Sequence, residues 1–127
     1  MPFRIARIYD PAEPDGGLRI LVDRLWPRGI KKSDARIDGW MKDIAPSSEL
    51  RTWFGHRPDR FAEFGKRYRE ELRSNPAVGA LRKLGTGKIV TLLYGARDQE
   101  VNHALVLRAV LQGRSATKPA RPKKTRA

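Results

Sequence analysis

The sequence predicts a single small α/β domain, in which a sheet of about three strands is layered with four to five helices. Three observations support this prediction. The chain has 127 residues, a length typical of one domain. Hydrophobic residues make up 39% of it and charged residues 32%, which is enough apolar material for a core. Segments with strand-like patterns are separated by segments with helical spacing, as expected when helices cover a sheet.

Three segments have the pattern of strands. Residues 3–9 are partly aromatic or β-branched and are followed by the turn-forming pair Asp10-Pro11. Residues 18–25 alternate between two faces. Residues 89–94 are apolar apart from Thr91, which is typical of a strand covered on both faces. We therefore expect residues 89–94 to form a central strand.

A first helix is predicted to run from about residue 34 to residue 44. Its apolar residues at the spacing of one buried stripe are Ile37, Trp40, Met41 and Ile44. Ser33 or Asp34 is the predicted N-cap. Pro46 ends the helix because the residue before a proline is pushed out of the helical region.

Four further helices are predicted, over residues 48–54, 58–72, 76–84 and 98–111. Ser47 or Ser48 is the predicted N-cap of the first, and Pro58 or Asp59 begins the second. Asp98 is the predicted N-cap of the last helix.

The chain is strongly basic, with 27 Lys and Arg against 14 Asp and Glu and a net charge of +13. This balance favours anionic partners such as nucleotides, phosphate or nucleic acid. Six of the basic residues lie after residue 112 in a segment without acids, and they are Arg114, Lys118, Arg121, Lys123, Lys124 and Arg126. We predict a disordered basic tail over residues 113–127. Removing its six charges leaves +7 on the predicted domain, residues 1–112.

Cysteine is absent, which excludes disulfides, thiol nucleophiles and thiolate zinc sites. The two histidines are not at a metal-binding spacing, and neither a dinucleotide-binding nor a phosphate-loop motif is present. No metal and no cofactor is therefore predicted. The first ten residues lack a secretory core, and no apolar run reaches the ~20 residues of a membrane helix, so the expected location is the cytoplasm.

Charged side chains follow the second and third predicted strands. Asp23, Arg24 and Arg28 lie where the second strand ends. Tyr94 is the last residue of the third strand, and Arg97 follows it. If these strands are parallel neighbours, the side chains converge beside the start of the last helix and suit an anion. The alternative is that Asp23 pairs with these arginines in a structural network.

Two histidines and two tryptophans are further candidates. His56 lies in a loop and could be a general acid or base, as could Asp23, or it could merely brace the loop. His103 is interpreted as a half-buried helix residue. Trp26 and Trp53 could stack on a nucleobase, whereas Trp40 is assigned to the core.

Several motifs occur in order along residues 3–112. They are Leu21-Val22-Asp23-Arg24-Leu25-Trp26-Pro27-Arg28-Gly29, Ala45-Pro46-Ser47, Trp53-Phe54-Gly55-His56, Thr91-Leu92-Leu93-Tyr94 and Asn102-His103-Ala104. Together they resemble the YeaO-like branch of the domain-of-unknown-function family 488. The resemblance implies a cytoplasmic α/β protein and carries no assigned reaction. It implies that a shared activity lies among Asp23, Arg24, Trp26, Arg28, Arg51, Trp53, His56, Tyr94, Asp98 and Asn102.

Two hypotheses from different classes remain open. In the first, the protein binds a phosphate-bearing ligand, a nucleotide or nucleic acid; its hydrolytic form uses Asp23 or His56 as the general acid or base and water as the nucleophile. In the second, it is a non-enzymatic accessory protein that contacts nucleic acid through its basic surface and tail. A homodimer would cover the open edges of a three-stranded sheet.

Overall fold

A computed structural model describes residues 3–11, 17–33 and 36–113 of the chain. The strands in these residues are β1 (Phe3–Arg7), β2 (Leu18–Leu21), β3 (Gly39–Trp40) and β4 (Val90–Tyr94). The α-helices are α1 (Ser48–Phe54), α2 (Phe61–Arg73), α3 (Ala77–Leu84) and α4 (His103–Leu111). Single 3-10 turns occur at Lys42–Ile44 and Pro58–Arg60. The α/β prediction is confirmed, while the predicted tail lies outside the described residues.

The described strands form one parallel sheet in the order β1-β4-β2-β3. Val90 of β4 lies opposite Phe3 of β1 on one side and Leu18 of β2 on the other. All five residues of β4 are buried, which confirms the central position predicted for this strand. Because the strands are parallel, the residues that follow β2 and β4 meet at the same edge of the sheet.

The two faces of the sheet are covered differently. One face packs against the four helices in the main core, which includes Ile20, Leu92 and the fully buried Tyr68 of α2. On the other face, Leu21 and Leu93 pack against Trp26, Ile30 and Ile37 of the segment between β2 and β3, and against Trp40 of β3. This segment therefore serves as a cover for the second face.

The prediction of a helix over residues 34–44 is wrong. Gly39 and Trp40 instead form an edge strand, in which Gly39 pairs with Ile20 and Trp40 with Leu21. The apolar stripe is divided between the two faces, since Ile44 lies in the main core and Ile37 and Trp40 lie in the second cluster. A Cβ at Gly39 would lie 3.3 Å from Ile20 Cδ1, so glycine suits this close pairing. The spacing alone could not distinguish one helical stripe from residues shared between two faces.

The other predicted helices are present, with a correction at the start of the last one. Ser47 is the N-cap of α1, because its hydroxyl accepts a hydrogen bond from Leu50 N at 3.1 Å. The last helix begins at His103 and not at Asp98, since Asn102 Oδ1 caps it by accepting from Leu105 N. The Asp98 carboxylate instead accepts hydrogen bonds from backbone amides in the turn that precedes α4. In the described part of the chain, no helix has the length and apolar character needed to cross a membrane.

Candidate ligand-binding site

A cavity of about 340 Å³ lies at the carboxyl ends of β2 and β4. Its walls come from the loop after β2, from the segment before α1, from the end of α1, and from the residues before and at the start of α4. We call it the Asp23 cavity, after the single carboxylate side chain among its described lining residues. The parallel pairing of β2 and β4, on which the predicted convergence depended, brings these segments together.

Seven of the candidate residues from the sequence line this cavity, and they are Asp23, Arg24, Trp26, Arg28, Arg51, His56 and Asn102. Four others do not line it. The guanidinium groups of Arg60 and Arg67 lie over the Trp53 ring, 5.1 Å and 4.2 Å from its centre. Tyr94 is buried in the sheet, while Arg97 and Asp98 are exposed beyond it.

Asp23 is held by groups from the neighbouring strand end and from α4. Its Oδ2 accepts a hydrogen bond from Gly95 N at 2.8 Å, and its Oδ1 lies 3.2 Å from His103 Nε2. A Cβ at position 95 would lie 3.1 Å from Oδ2, so the glycine leaves room for the carboxylate. Among the described residues, Asp23 makes no ion pair with Arg24, Arg28 or Arg97, contrary to the structural-network alternative.

His103 is half-buried, as interpreted from the sequence, and it also lines the cavity, where the sequence analysis did not place it. Its Nε2 lies 3.0 Å from the carbonyl oxygen of Val22 as well as near Asp23. A carbonyl oxygen can only accept, so Nε2 carries the proton and donates to it. These contacts join α4 to the end of β2, far away in the sequence. Only the resemblance, which includes Asn102-His103-Ala104, pointed toward this position.

Arg24 is anchored by main-chain carbonyl groups at the cavity wall. Its Nε donates to Pro46 O at 3.2 Å and its Nη2 donates to Ala45 O at 3.3 Å. Both acceptors belong to residues that line the cavity. The guanidinium is therefore held beside the cavity without using a carboxylate.

Helix α2 holds the segment that anchors Arg24. The Tyr68 hydroxyl donates to Ile44 O at 2.6 Å, and Glu71 accepts from Ser47 N at 2.8 Å and from Ser47 Oγ at 2.6 Å. Burial raises the pKa of Tyr68 well above its ordinary value, and the charges of Glu71 and Asp23 raise it further. The phenol therefore stays protonated and remains a donor to Ile44.

The outer part of the cavity carries exposed cationic side chains. Arg28 and Arg51 are exposed and form no ion pair with a described carboxylate.

His56 is also exposed, and its φ of 58° follows a φ of 55° at Gly55. Two consecutive left-handed residues make a sharp turn after α1, and histidine is among the residues that adopt this conformation more often. The turn places His56 in the cavity lining.

Trp26 is the tryptophan that lines the cavity. Its Nε1 donates to Ile30 O at 2.6 Å, and its ring packs edge-on against Trp40 at 5.3 Å between ring centres. Since the indole N–H group already donates to Ile30 O, the ring offers a ligand an apolar surface.

In residues 3–11, 17–33 and 36–113, no three His, Asp or Glu side chains are grouped as metal ligands would be.

Comparisons with known proteins identify relatives along most of the chain. A family model described as "Inactive DUF488-N3 subclade" matches residues 2–126, which extends beyond the resemblance seen in residues 3–112. The chain is similar to the uncharacterised protein Rv3073c of Mycobacterium tuberculosis (strain ATCC 25618 / H37Rv), with 50% identity over 111 residues. That match covers 87% of this chain and 94% of the relative.

Two further relatives also match most of the chain. The uncharacterised protein Mb3100c of Mycobacterium bovis is also 50% identical over 111 residues, again covering 87% of this chain and 94% of the relative. The uncharacterised protein YeaO of Escherichia coli (strain K12) is 47% identical over 108 residues, covering 84% of this chain and 94% of the relative. No solved structure matches the chain significantly.

Proposed function

This chain belongs to the inactive DUF488-N3 subclade, and we propose that it binds a phosphate-bearing ligand, a nucleotide, in the Asp23 cavity. One observation carries the proposal. Three arginines, Arg24, Arg28 and Arg51, line a cavity in which Asp23 is the single carboxylate among the described lining residues, and its Oδ2 already accepts from Gly95 N. The cavity therefore has excess positive charge, which an anion would balance.

Phosphate suits this set of donors. Guanidinium groups bind phosphate oxygens through paired N–H donors, and Arg24 is already oriented by Ala45 O and Pro46 O. A side chain held in place before binding loses less conformational entropy when the ligand arrives. Arg28 and Arg51, which are exposed, would close on the phosphate from the outer side.

A nucleotide fits better than inorganic phosphate because much of the cavity wall is apolar. Trp26, Pro27, Pro46, Phe54 and Ala96 contribute to the lining. Its volume of about 340 Å³ is within the range of sites for small organic ligands. In this proposal the nucleobase contacts Trp26, where base stacking on an aromatic ring contributes roughly 1–3 kcal/mol.

Binding without turnover agrees with the description of the subclade as inactive. Hydrolysis is a second candidate, favoured by the contact between Asp23 and His103 at 3.2 Å. In that hypothesis Asp23 or His56 would act as the general acid or base, with water as nucleophile. The two candidates share the same ligand and differ only in whether product is released.

The test compares adenosine monophosphate with adenosine, which lacks the phosphate, in calorimetric titrations of the full chain. We expect the monophosphate to bind measurably more tightly than adenosine. Arg28→Gln and Arg51→Gln should each weaken monophosphate binding by about tenfold or more, since a hydrogen bond to a charged group contributes roughly 1.5–3 kcal/mol. Arg73→Gln is the matched control, because Arg73 is exposed outside the cavity.

Equal affinity for adenosine and its monophosphate would contradict the proposal, as would unchanged binding in both cavity variants. Release of adenosine from the monophosphate would establish the hydrolytic candidate, provided that Asp23→Asn and His56→Gln abolish it. Absence of release together with tight binding would support a binding protein.

A further inference from the structure

His103 is the half-buried histidine of the Asp23 cavity, and the proposed nucleotide site gives it no role in holding the ligand. It lines the cavity, and its side chain is 15% exposed. Its Nε2 donates to Val22 O at 3.0 Å, and Nδ1 has no hydrogen-bond partner among the described residues. In a neutral imidazole that donates from Nε2, Nδ1 carries the free lone pair. A proton added to His103 therefore binds at Nδ1.

Asp23 offers this proton a counter-charge. Its Oδ1 is buried and accepts no hydrogen bond from the described residues, and it lies 3.2 Å from His103 Nε2. A buried carboxylate oxygen without a donor is unfavourable, and a positive charge on the neighbouring imidazole offsets this cost. Asp23 and His103 are thus arranged as a carboxylate–imidazolium pair that lacks only its proton.

The arginines of the cavity act against that pair. Among the described lining residues, the guanidinium groups of Arg24, Arg28 and Arg51 stand against one carboxylate, a formal excess of two positive charges. A further cation on His103 is repelled by this excess. A bound dianion has the two negative charges that cancel the excess, so the repulsion is removed when such a ligand enters the cavity.

The remaining charged or titratable groups near His103 come from α2 and from the turn before α4. The Tyr68 ring lies edge-on to the imidazole with 6.2 Å between ring centres, and its phenol stays protonated because burial raises its pKa. The Glu71 carboxylate is bonded to Ser47, and the Asp98 carboxylate is bonded to backbone amides of its own turn. Within the described residues, Asp23 is therefore the carboxylate at ion-pair distance from His103.

We propose that the Asp23 cavity takes up one proton, at His103 Nδ1, when it binds a phosphate monoester dianion. The inference rests on the nucleotide binding proposed above and adds the protonation state in which the ligand is held. The proton and the dianion strengthen each other's binding by the same factor, since coupling between two sites is reciprocal. The ligand should therefore bind more tightly as the pH falls from 8 to 7.

His56, the other histidine of the chain, is not expected to take up this proton. It also lines the cavity, but it is exposed, and no described carboxylate lies at ion-pair distance from it. Solvent and salt screen an exposed charge more strongly than a partly buried one, so the bound dianion acts mainly on His103.

The test titrates the full chain with adenosine monophosphate by calorimetry at pH 8, where the monoester is a dianion. Titrations in two buffers that differ in protonation enthalpy give the number of protons taken up, because the buffer supplies each of them. We expect an uptake of about half to one proton, and a gain in affinity of about three- to tenfold from pH 8 to pH 7.

His103→Gln keeps a side-chain N–H group for Val22 O but cannot be protonated, and it should bind the monophosphate without proton uptake. His56→Gln is the matched variant and should retain the uptake. If His103→Gln does not fold, the nitrogen chemical shifts of the two wild-type imidazoles assign the proton, and His103 should become an imidazolium when the ligand is added.

Binding without proton uptake in the wild type would overturn this inference and leave the proposed function standing. Uptake that persists in His103→Gln would overturn it as well. If the monophosphate does not bind at either pH, the proposed function fails and this inference fails with it.

Discussion

Asp23 and His103 contact each other across the carboxyl edge of the sheet, with 3.2 Å between Asp23 Oδ1 and His103 Nε2. Since Nε2 also donates to the carbonyl oxygen of Val22, the imidazole joins the first turn of α4 to the end of β2. The second carboxylate oxygen of Asp23 accepts from Gly95 N after β4. Asp23 thus connects three segments that form the cavity, and its removal should affect both the fold and the site.

Substitution of Asp23 should lower the free energy of unfolding, and the loss should be larger when no side-chain oxygen remains to accept from Gly95 N. Asp23→Ala leaves the Gly95 N–H group without its acceptor, and the free energy of unfolding should fall by about 1–3 kcal/mol. Asp23→Asn keeps one oxygen acceptor and should cost less. Urea denaturation measures both. Asp59→Ala, which removes an exposed ion pair with Arg57, should change stability by less than about 0.5 kcal/mol. Equal losses in all three variants would contradict this role for Asp23.

Tyr68 should make the protein less stable at alkaline pH. Burial raises its folded-state pKa above the ordinary value of 10.0, so its stabilising effect is complete below pH 10. As pH rises further, the unfolded chain loses this proton while the folded protein keeps it. The free energy of unfolding should then fall by up to about 1.4 kcal/mol per pH unit until the folded pKa is reached.

Tyr68→Phe removes this titration and should have a shallower decline in stability above pH 10. At neutral pH the variant should be less stable by about 1 kcal/mol, because the hydrogen bond to Ile44 O is lost. Denaturant unfolding at a series of pH values tests both effects. The same alkaline slope in the wild type and the variant would refute the prediction.

Trp26 and Trp53 should differ in their effect on ligand binding. Trp26→Phe should weaken adenosine monophosphate binding by about fivefold or more, since stacking on the larger indole is lost in part. Trp53→Phe should leave the affinity unchanged, because Trp53 contacts Arg60 and Arg67 and does not line the cavity. Calorimetric titration of both variants provides the comparison. A larger loss in Trp53→Phe would place the nucleobase elsewhere.

Two glycines of the α3 region should respond in opposite directions to alanine. A Cβ at Gly79, within α3, meets no atom within 4 Å, so Gly79→Ala should stabilise the protein by about 0.5–1 kcal/mol. A Cβ at Gly85 would lie 2.7 Å from Cζ of the buried Phe3 ring, and Gly85→Ala should destabilise it by about 1–3 kcal/mol. Thermal unfolding distinguishes these outcomes. A stabilised Gly85→Ala variant would show that the Phe3 ring can move aside.

Much of the fold could be predicted because the local patterns agree with the packing. The continuous apolar run of β4 indicated a central strand, and the helix predicted over residues 58–72 corresponds to the 3-10 turn at Pro58–Arg60 followed by α2. Residues 34–44 were misassigned as a helix because apolar residues three and four positions apart also occur where a chain passes the edge of a sheet and packs against both of its faces. Ile44 and Trp40 then face different apolar clusters.

For the site, the sequence indicated the loop after β2 and the region after β4 through its concentration of charged and aromatic residues. It could not indicate that Trp53 is held outside by Arg60 and Arg67, or that His103 contacts Asp23. These contacts involve separate elements, and no local pattern encodes the distance between them.

The sequence by itself determined the family, the α/β class, the basic charge and the absence of thiol chemistry, because these follow from composition and from patterns within single segments. The tertiary structure decided that β2 and β4 are parallel neighbours and which arginines share a cavity. It also decided that Asp23 contacts His103 rather than an arginine. The physical reason is that such contacts depend on the packing of distant segments around a common core, where burial and hydrogen bonding select one arrangement among several that the local patterns allow.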